Sequence, residues 1–552
     1  MKEAGVLGIV MVAIVALTGA VLGLAPDAGR QLPQDLPVFT DITEKSGVHF
    51  KHSFGDEELS NIVEGTGSGV ALLDYDNDGW LDIYFVNGRY RPDVNDNTGR
   101  KLKGKLTNML LRNNHDGTFT DVTEKVGVGG GEGYGCSASA ADYDGDGNTD
   151  LYVCNYGKNI LYRNNGDGTF TDVTDKAGVG DERWSLSGVW FDYDKDGKLD
   201  LYVAYYLEYD AGKFRSYYAA AGYPGPLSYS GQPDTLYHNN GDGTFTDVTK
   251  QADVYKPGGR AMSATAADLV NSGLLDVFVA NDSMECYYLR NLGKGRFAEE
   301  ALQRGLAFSE GGQGVSHMGP CIGDVDRDGR LDIFIPDMNF GCLLMNRGDH
   351  FEDRTTENGL AVILGQYTGW GGCLFDYDND GWLDIFCANG DAHHEYVQDQ
   401  VMVRNDGTGH FVDVAKRSGD YFKRRYVGRG AAVGDLFNDG NLDVVAVNLN
   451  DRARVLRNGG AKNNWLAVIA RLPNGKTDAI GARVTVTTGS LVQIQDLIPV
   501  VGYLSQSDPR PHFGLGKAKQ ADKVEIRWPD GTVTQLNDVK ANQFMKAVKP
   551  SK

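Results

Sequence analysis

From Phe39 to about residue 459 the chain repeats one rhythm: a short run alternating apolar and polar residues, a turn of Asp, Asn and Gly, and a second alternating run. Three stretches are nearly identical, Leu110-Leu-Arg-Asn-Asn-His-Asp-Gly-Thr-Phe-Thr-Asp-Val-Thr123, its copy at Leu161–Thr174 and its copy at Leu236–Thr249, with weaker copies at 289–299, 344–354 and 403–414. Period-two alternation on both sides of a Gly-bearing turn predicts a β-hairpin. Between the hairpins lies a second element, Asp74-Tyr-Asp-Asn-Asp-Gly-Trp-Leu-Asp82, which recurs at Asp142–Asp150, Asp192–Asp200, Asp268–Asp276, Asp324–Asp332, Asp376–Asp384 and Asp435–Asp443. Small or apolar residues lead into each copy, and a strand-like run such as Leu81-Asp-Ile-Tyr-Phe-Val86 leads out. One repeat is therefore two hairpins, or four strands.

Seven four-stranded units predict an all-β fold, a seven-bladed β-propeller over residues 39–459. Its two ends complement each other. Phe39-Thr-Asp-Ile-Thr43 is an orphan copy of the Phe-Thr-Asp-Val-Thr strand, and the seventh repeat stops at Val455-Leu-Arg-Asn458 without its own copy. The expectation is that the N-terminal strand completes the last blade and closes the ring, which removes two open sheet edges. An open β-solenoid would need no such complementary halves.

Each acidic element has Asp at positions 1, 3, 5 and 9 and Gly at position 6, which gathers hard oxygen donors around a sharp turn. Such a donor set suits Ca²⁺, which takes 6–8 oxygen ligands. The expected ligands are Asp74, Asp76, Asp78 and Asp82; Asp142, Asp144, Asp146 and Asp150; Asp192, Asp194, Asp196 and Asp200; Asp324, Asp326, Asp328 and Asp332; and Asp376, Asp378, Asp380 and Asp384. The fourth copy has Val270 and Ser272 at positions 3 and 5 and is expected to bind no metal; the seventh, with Phe437 at position 3, is expected to bind weakly or not at all. The count is then about five Ca²⁺. These are not EF-hands, because position 12 is Phe85, Val153, Val203, Ile335 or Cys387 rather than a bidentate Glu, and the flanks alternate like strands.

Composition narrows the function. Seventy-five acids against 54 bases give a net charge of −21, so no basic surplus exists to neutralise phosphates and a nucleic-acid partner is not expected. A 41% hydrophobic share supplies a packed core, and seven Cys, an odd number, make no disulfide scaffold. Cys373 and Cys387 flank the sixth acidic turn symmetrically and read either as a cross-strand disulfide or as two buried thiols. Residues 1–25 read as a signal peptide or membrane anchor. The uncharged run 4–25 would span about 33 Å as a helix, while Thr18-Gly-Ala20 offers a cleavage site. Residues 26–38 form a linker, and either reading exports the rest.

After Gly459-Gly460 the repeat ends, and residues 460–552 read as a separate β-rich unit with strands near 466–472, 482–488, 491–497 and 523–528. The series Ala479-Ile-Gly-Ala482, Gly502-Tyr-Leu-Ser-Gln506, His512-Phe-Gly-Leu-Gly516 and Trp528-Pro-Asp-Gly531 resembles the ASPIC/UnbV domain. The repeats upstream resemble VCBS/FG-GAP repeats of the integrin-propeller type, and together they resemble the cartilage-acidic-protein-like family. The resemblance implies calcium-loaded propellers outside the cytoplasm with roles in adhesion or complex assembly, and it supplies no catalytic residue.

The expected function is an exported, calcium-binding, non-catalytic module for adhesion, assembly or the binding of a protein or glycan partner at a propeller face, held at the membrane by residues 4–25 if they are not cleaved. The alternatives are a propeller enzyme acting on polysaccharide at the central channel and an accessory subunit of a membrane complex. The insertion Tyr217–Tyr229, rich in Tyr and Pro, reads as an ordered loop or as a clasp for such a partner. His393-His394-Glu395 lacks H-E-x-x-H, Gly475-Lys476-Thr477 lacks the upstream Gly of a phosphate loop, and His512 reads as structural.

Overall fold

The computed structural model describes residues 33, 35–96, 98–213 and 222–551. The apolar run 4–25 and the first half of the Tyr-rich insertion lie outside the described residues. No helix among the described residues is long and apolar enough to cross a membrane.

Residues 37–459 form repeated four-stranded antiparallel sheets of propeller type, seven among the described residues. The second is representative: Tyr134–Ala141, Asp150–Tyr156, Ile160–Asn164 and Phe170–Asp172 lie side by side in chain order. Burial follows this order. The first strand is buried throughout, whereas the fourth exposes two of its three residues. The acidic loop joins the first two strands, and the Asn-Gly-Asp-Gly-Thr turn joins the last two. In that turn Asp167 Oδ1 accepts from the Thr169 amide at 3.0 Å and from its hydroxyl at 2.6 Å, a side-chain-locked turn that Asp116–Thr118 and Asp242–Thr244 repeat. The seventh sheet breaks the chain order. Its members Gly428–Gly434, Asp443–Asn448 and Arg454–Asn458 are joined by Phe39–Asp41, with Phe39 opposite Asn458 and Asp41 opposite Leu456.

The C-terminal strands form two further sheets. Asn464–Arg471 pairs with His512–Gly516 and, in parallel, with Phe544–Val548; Leu491–Asp496, Arg483–Thr488, Gln520–Arg527 and Val533–Lys540 form the other. Sequence pattern located four of these seven strands. One hydrophobic core runs from Tyr143, Trp190 and Leu201 of the repeats into Leu466, Val484, Phe513 and Trp528 of these sheets.

The closest union is residues 500–508, which run among the first strands of the sheets. The Gln506 amide donates to Val70 O at 2.9 Å and its carbonyl accepts from Leu72 N at 3.0 Å in the first sheet, while its side chain accepts from Ala140 N of the second at 2.8 Å. Thr265 of the fourth donates to Val500 O at 2.8 Å and Ser263 to Gly502 O at 2.9 Å. The Gly502 amide donates to Pro320 O, beside the fifth sheet, and Asp508 N to Val433 O of the seventh. Tyr503 packs on Trp370 of the sixth at 5.1 Å. Glycine permits this approach: a Cβ on Gly69 would lie 1.6 Å from Leu504 O, and one on Gly319 2.0 Å from Tyr503 N. Gly502-Tyr-Leu-Ser-Gln506, which the sequence offers only as a family signature, is thus the centre of a segment, residues 500–508, that ties six sheets together.

All seven cysteines are buried and free. Cys373 lies opposite Phe386, and Cys387 opposite Gly372. That offset of one residue turns the two thiols toward opposite sheet faces, so the cross-strand disulfide does not form.

Candidate metal centre

The five full acidic loops share one skeleton. The opening Asp accepts from the amides of the turn: Asp74 from Asp78 N at 3.0 Å and Gly79 N at 2.9 Å, Asp324 from Asp328 N at 3.0 Å and Gly329 N at 3.1 Å, Asp376 from Asp380 N at 3.0 Å and Gly381 N at 2.6 Å. Asp142 and Asp192 hold Gly147 N and Gly197 N in the same way, at 2.8 Å and 3.0 Å. The Asp at position 5 accepts from the amide two residues on, so Asp78, Asp146, Asp196, Asp328 and Asp380 bond Trp80, Asn148, Lys198, Arg330 and Trp382 at 2.9–3.0 Å. The closing Asp is buried and bridges two strands. Asp82 accepts from Asn113 N at 2.8 Å and Tyr75 N at 3.1 Å, and Asp150, Asp200, Asp332 and Asp384 repeat the pattern on Asn164, Asn239, Asn346 and Asn405.

Position 3 differs. Its main protein partner is a basic residue of the third strand: Arg112 for Asp76 at 2.9 Å, Arg163 for Asp144 at 2.7 Å, Arg404 for Asp378 at 2.7 Å, and Arg347, just past its strand, for Asp326 at 3.2 Å. In the third repeat this residue is His238, 3.5 Å from Asp194 and 3.1 Å from Asp200. These residues are not among those expected from the sequence, although the Leu-Arg-Asn, Tyr-Arg-Asn, Tyr-His-Asn and Val-Arg-Asn triplets of the hairpin copies signal all of them but Arg347.

The carboxylates converge. Ligand atoms of Asp74, Asp76 and Asp82, of Asp142, Asp144 and Asp146, of Asp192, Asp194 and Asp196, and of Asp324, Asp326 and Asp332 lie within 4.8 Å of one another in each group. Asp76 Oδ1, Asp142 Oδ1 and Asp326 Oδ1 are buried and have no hydrogen-bond partner. Burial first, then the neighbouring carboxylates, push Asp74 and Asp192 up to about 6, Asp324 up to about 7, and Asp376 well above the usual carboxylate range. Orphaned buried oxygens beside mutually repelling carboxylates fit a hard, oxygen-seeking cation and no soft metal.

The fourth loop keeps the skeleton and changes the charge. Asp268 still accepts from Ser272 N at 2.7 Å and Gly273 N at 2.9 Å. Its Oδ2 also takes the Arg527 guanidinium of the C-terminal sheet at 2.6 Å, and the closing Asp276 takes the Tyr288 hydroxyl at 2.7 Å. In the seventh loop Arg457 pairs with Asp439 at 3.2 Å and lies over the Phe437 ring, while Arg510 donates to Asp435 O at 2.9 Å.

The C-terminal strands lie on this loop face. Asn474 reaches Gly145 O and Thr477 bonds Asp142, so the phosphate-loop lookalike is a docking turn on the second acidic loop. Lys195 donates to Pro529 O at 3.0 Å, and the side chain of Asn463 to Asp378 O at 2.8 Å. His512 Nε2 lies 2.8 Å from Asn379 Oδ1 of the sixth loop, and burial lowers its pKa to about 4.

Comparison with known proteins places these features. Residues 473–552 match the ASPIC and UnbV model, and the FG-GAP-like repeat model matches residues 74–153, 142–203, 220–279, 270–335 and 376–446, more than half of the chain in all. Cartilage acidic protein 1 of Homo sapiens is 29% identical over 312 residues, covering 53% of this chain and 44% of that protein; its Xenopus tropicalis counterpart is 28% identical over 305 residues, covering 50% and 42%. The chain thus spans less than half the length of these curated relatives. Among solved structures, BBS1N in complex with ARL6DN aligns at a TM-score of 0.41 with 8% identity, covering 76% of this chain and 97% of that one. An Agrocybe aegerita lectin that recognises non-reducing terminal N-acetylglucosamine aligns at 0.39 with 19% identity, covering 70% and 86%.

Proposed function

This chain belongs to the FG-GAP-like repeat family and carries a C-terminal ASPIC/UnbV domain, and from that premise we propose that it is an exported, calcium-stabilised binding module that does no chemistry of its own. In this reading the seven sheets are the blades of a closed ring, with Phe39–Asp41 as the fastening strand. Five Ca²⁺ sit in the loops opened by Asp74, Asp142, Asp192, Asp324 and Asp376, and the module presents a protein or glycan partner with a surface other than the loop face.

The observation that carries the proposal is the passage of residues 500–508 among the first strands. A propeller enzyme would keep its substrate pocket where those strands converge, and here the chain's own backbone fills that place with hydrogen bonds to several sheets. The loop face, covered by the C-terminal strands, leaves the rim and the opposite face for a partner. Family membership and likeness to cartilage acidic protein support a place outside the cytoplasm.

Native mass spectrometry in 1 mM Ca²⁺ tests the metal reading. Five bound ions, lost on chelation together with a lower melting temperature, are expected. An unchanged melting temperature after chelation would overturn it.

A further inference from the structure

A groove on the rim between the sixth and seventh sheets reverses the charge of the molecule. Its volume is about 630 Å³, within the size range of small-molecule sites. It is bounded on one side by the fastening strand Phe39–Asp41 and Lys45, and on the other by the short turns Ala415–Arg417 and Tyr421–Lys423. Lys45, Lys416, Arg417, Lys423, Arg424 and Arg454 line it against only Asp41, Glu44 and Asp420. Six bases to three acids stand out in a chain where acids outnumber bases 75 to 54. The acids are already engaged: Asp420 by Lys423 at 2.8 Å, Asp41 by Arg454 at 3.4 Å, and Glu44 by Arg452 at 3.3 Å.

The wall of the groove also holds unanswered hydrogen-bond donors. Tyr421, 1% exposed, has a hydroxyl without a partner, and Arg454 Nε is likewise buried and unpartnered. Tyr426 stacks on Tyr421 at 4.8 Å between ring centroids, and the Arg454 guanidinium lies 5.3 Å from the Tyr426 ring. Buried donors without acceptors are costly to leave unmet.

We propose that this groove binds a short anionic saccharide, with its carboxylate or sulfate among Lys416, Arg424 and Arg454 and its hydroxyls on the tyrosine wall. The proposal rests on the reading of the chain as a binding module and names the class of its ligand. Charge sets the size of that ligand. A net −21 repels a long polyanion, and the basic surplus acts only within about a Debye length of ~8 Å, so a ligand confined to the groove gains attraction that an extended one loses. The aromatic rings are buried edge to wall and offer no open face for stacking bases, which sets the groove apart from a nucleic-acid site.

The test is calorimetric titration of the full chain in Ca²⁺ with a disaccharide carrying one carboxylate and one sulfate. Its neutral analogue, inorganic sulfate and phosphatidylglycerol vesicles serve as the other arms. We expect one site per chain, at least ten-fold weaker binding of the neutral analogue, and about ten-fold weaker binding by Lys416→Ala/Arg424→Ala, whose two side chains are exposed and whose melting temperature should not move. Tyr421→Phe should weaken binding with both charges intact. Equal binding by the double variant, equal binding of the neutral analogue, binding of vesicles alone, binding of sulfate as tight as the disaccharide, or no binding at all would each overturn the proposal. Melting with and without chelator on the same samples reads the calcium assignment separately, so the two can fail independently.

Discussion

The fourth and sixth acidic loops have the same backbone and opposite electrostatics. In both, the opening Asp gathers the turn amides and the closing Asp spans the strands. The sixth crowds Asp376, Asp378, Asp380 and Asp384 together, and burial with mutual repulsion lifts Asp376 and Asp384 well above the usual carboxylate range. The fourth has lost two carboxylates to Val270 and Ser272, and its remaining opening Asp, 2% exposed in its side chain, is answered by Arg527 from a strand more than 250 residues away. Turn geometry is therefore separable from carboxylate number: with only Asp268 and Asp276 left, the opening carboxylate is answered by a guanidinium supplied by the C-terminal sheet.

A third way of housing a buried carboxylate appears away from the loops. Glu64, fully buried in the helix Ile62–Thr66 capped by Asn61, accepts from Ser60 N at 2.7 Å and Asn95 Nδ2 at 2.7 Å, and burial raises its pKa to about 7. Here burial shifts the balance toward the protonated carboxyl, and neutral donors rather than a guanidinium meet its oxygens.

The broadest way to break the comparison is chelation. On the proposed reading, with extracellular-type affinities of ~10⁻⁴–10⁻³ M and Ca²⁺ near 1 mM, each ion would stabilise by roughly 0.4–1.4 kcal/mol and five would contribute about 2–7 kcal/mol, read as a fall in melting temperature on chelation. The Arg527–Asp268 contact should survive that treatment, and exchange of the amides of Ser272 and Gly273 should stay slow while that of Asp380 and Gly381 speeds up.

Next in size is Arg527→Met. It strands the Asp268 carboxylate, and since Arg527 is itself partly exposed the cost should be about 2–4 kcal/mol in denaturant unfolding. Adding Val270→Asp and Ser272→Asp to that variant should restore stability in Ca²⁺ and raise the ion count by one. No additional ion would mean that more than carboxylate number separates the two loops.

Glu64→Gln sharpens the third case. The folded pKa of about 7 lies above the ordinary 4.5, so the native state binds more protons between these values. Stability from the protonated carboxyl is full below about pH 4.5 and is lost as pH rises through 7, on the order of 3 kcal/mol in total. The Gln variant should flatten the profile by that amount relative to the parent, measured by urea unfolding at pH 5 and pH 8. Parallel profiles would refute the assignment. The smallest effect belongs to Asp378→Asn, which should release one ion and cost about 0.4–1.4 kcal/mol.

Most of the repeat architecture was legible in the chain. Alternation around Asn-Gly-Asp-Gly-Thr fixed the hairpins, because period-two patterning and turn chemistry act over a few residues, and the orphan Phe39–Thr43 copy pointed to its partner strand. The carboxylate positions were legible for the same reason. The third-strand arginines and His238 were less so, because they meet the loops only through strand register. Arg527 was not legible at all, nor was the seat of Gly502–Gln506.

By itself, then, the sequence determined whatever depends on local covalent geometry and side-chain periodicity: strand, turn, repeat, and the clustering of oxygen donors within nine residues. Tertiary structure alone decided which cation meets the fourth loop, which segment runs among the first strands, and where a basic groove opens in an acidic molecule. Those outcomes come from contacts between residues hundreds of positions apart, whose meeting is set by packing and not by any pattern along the chain.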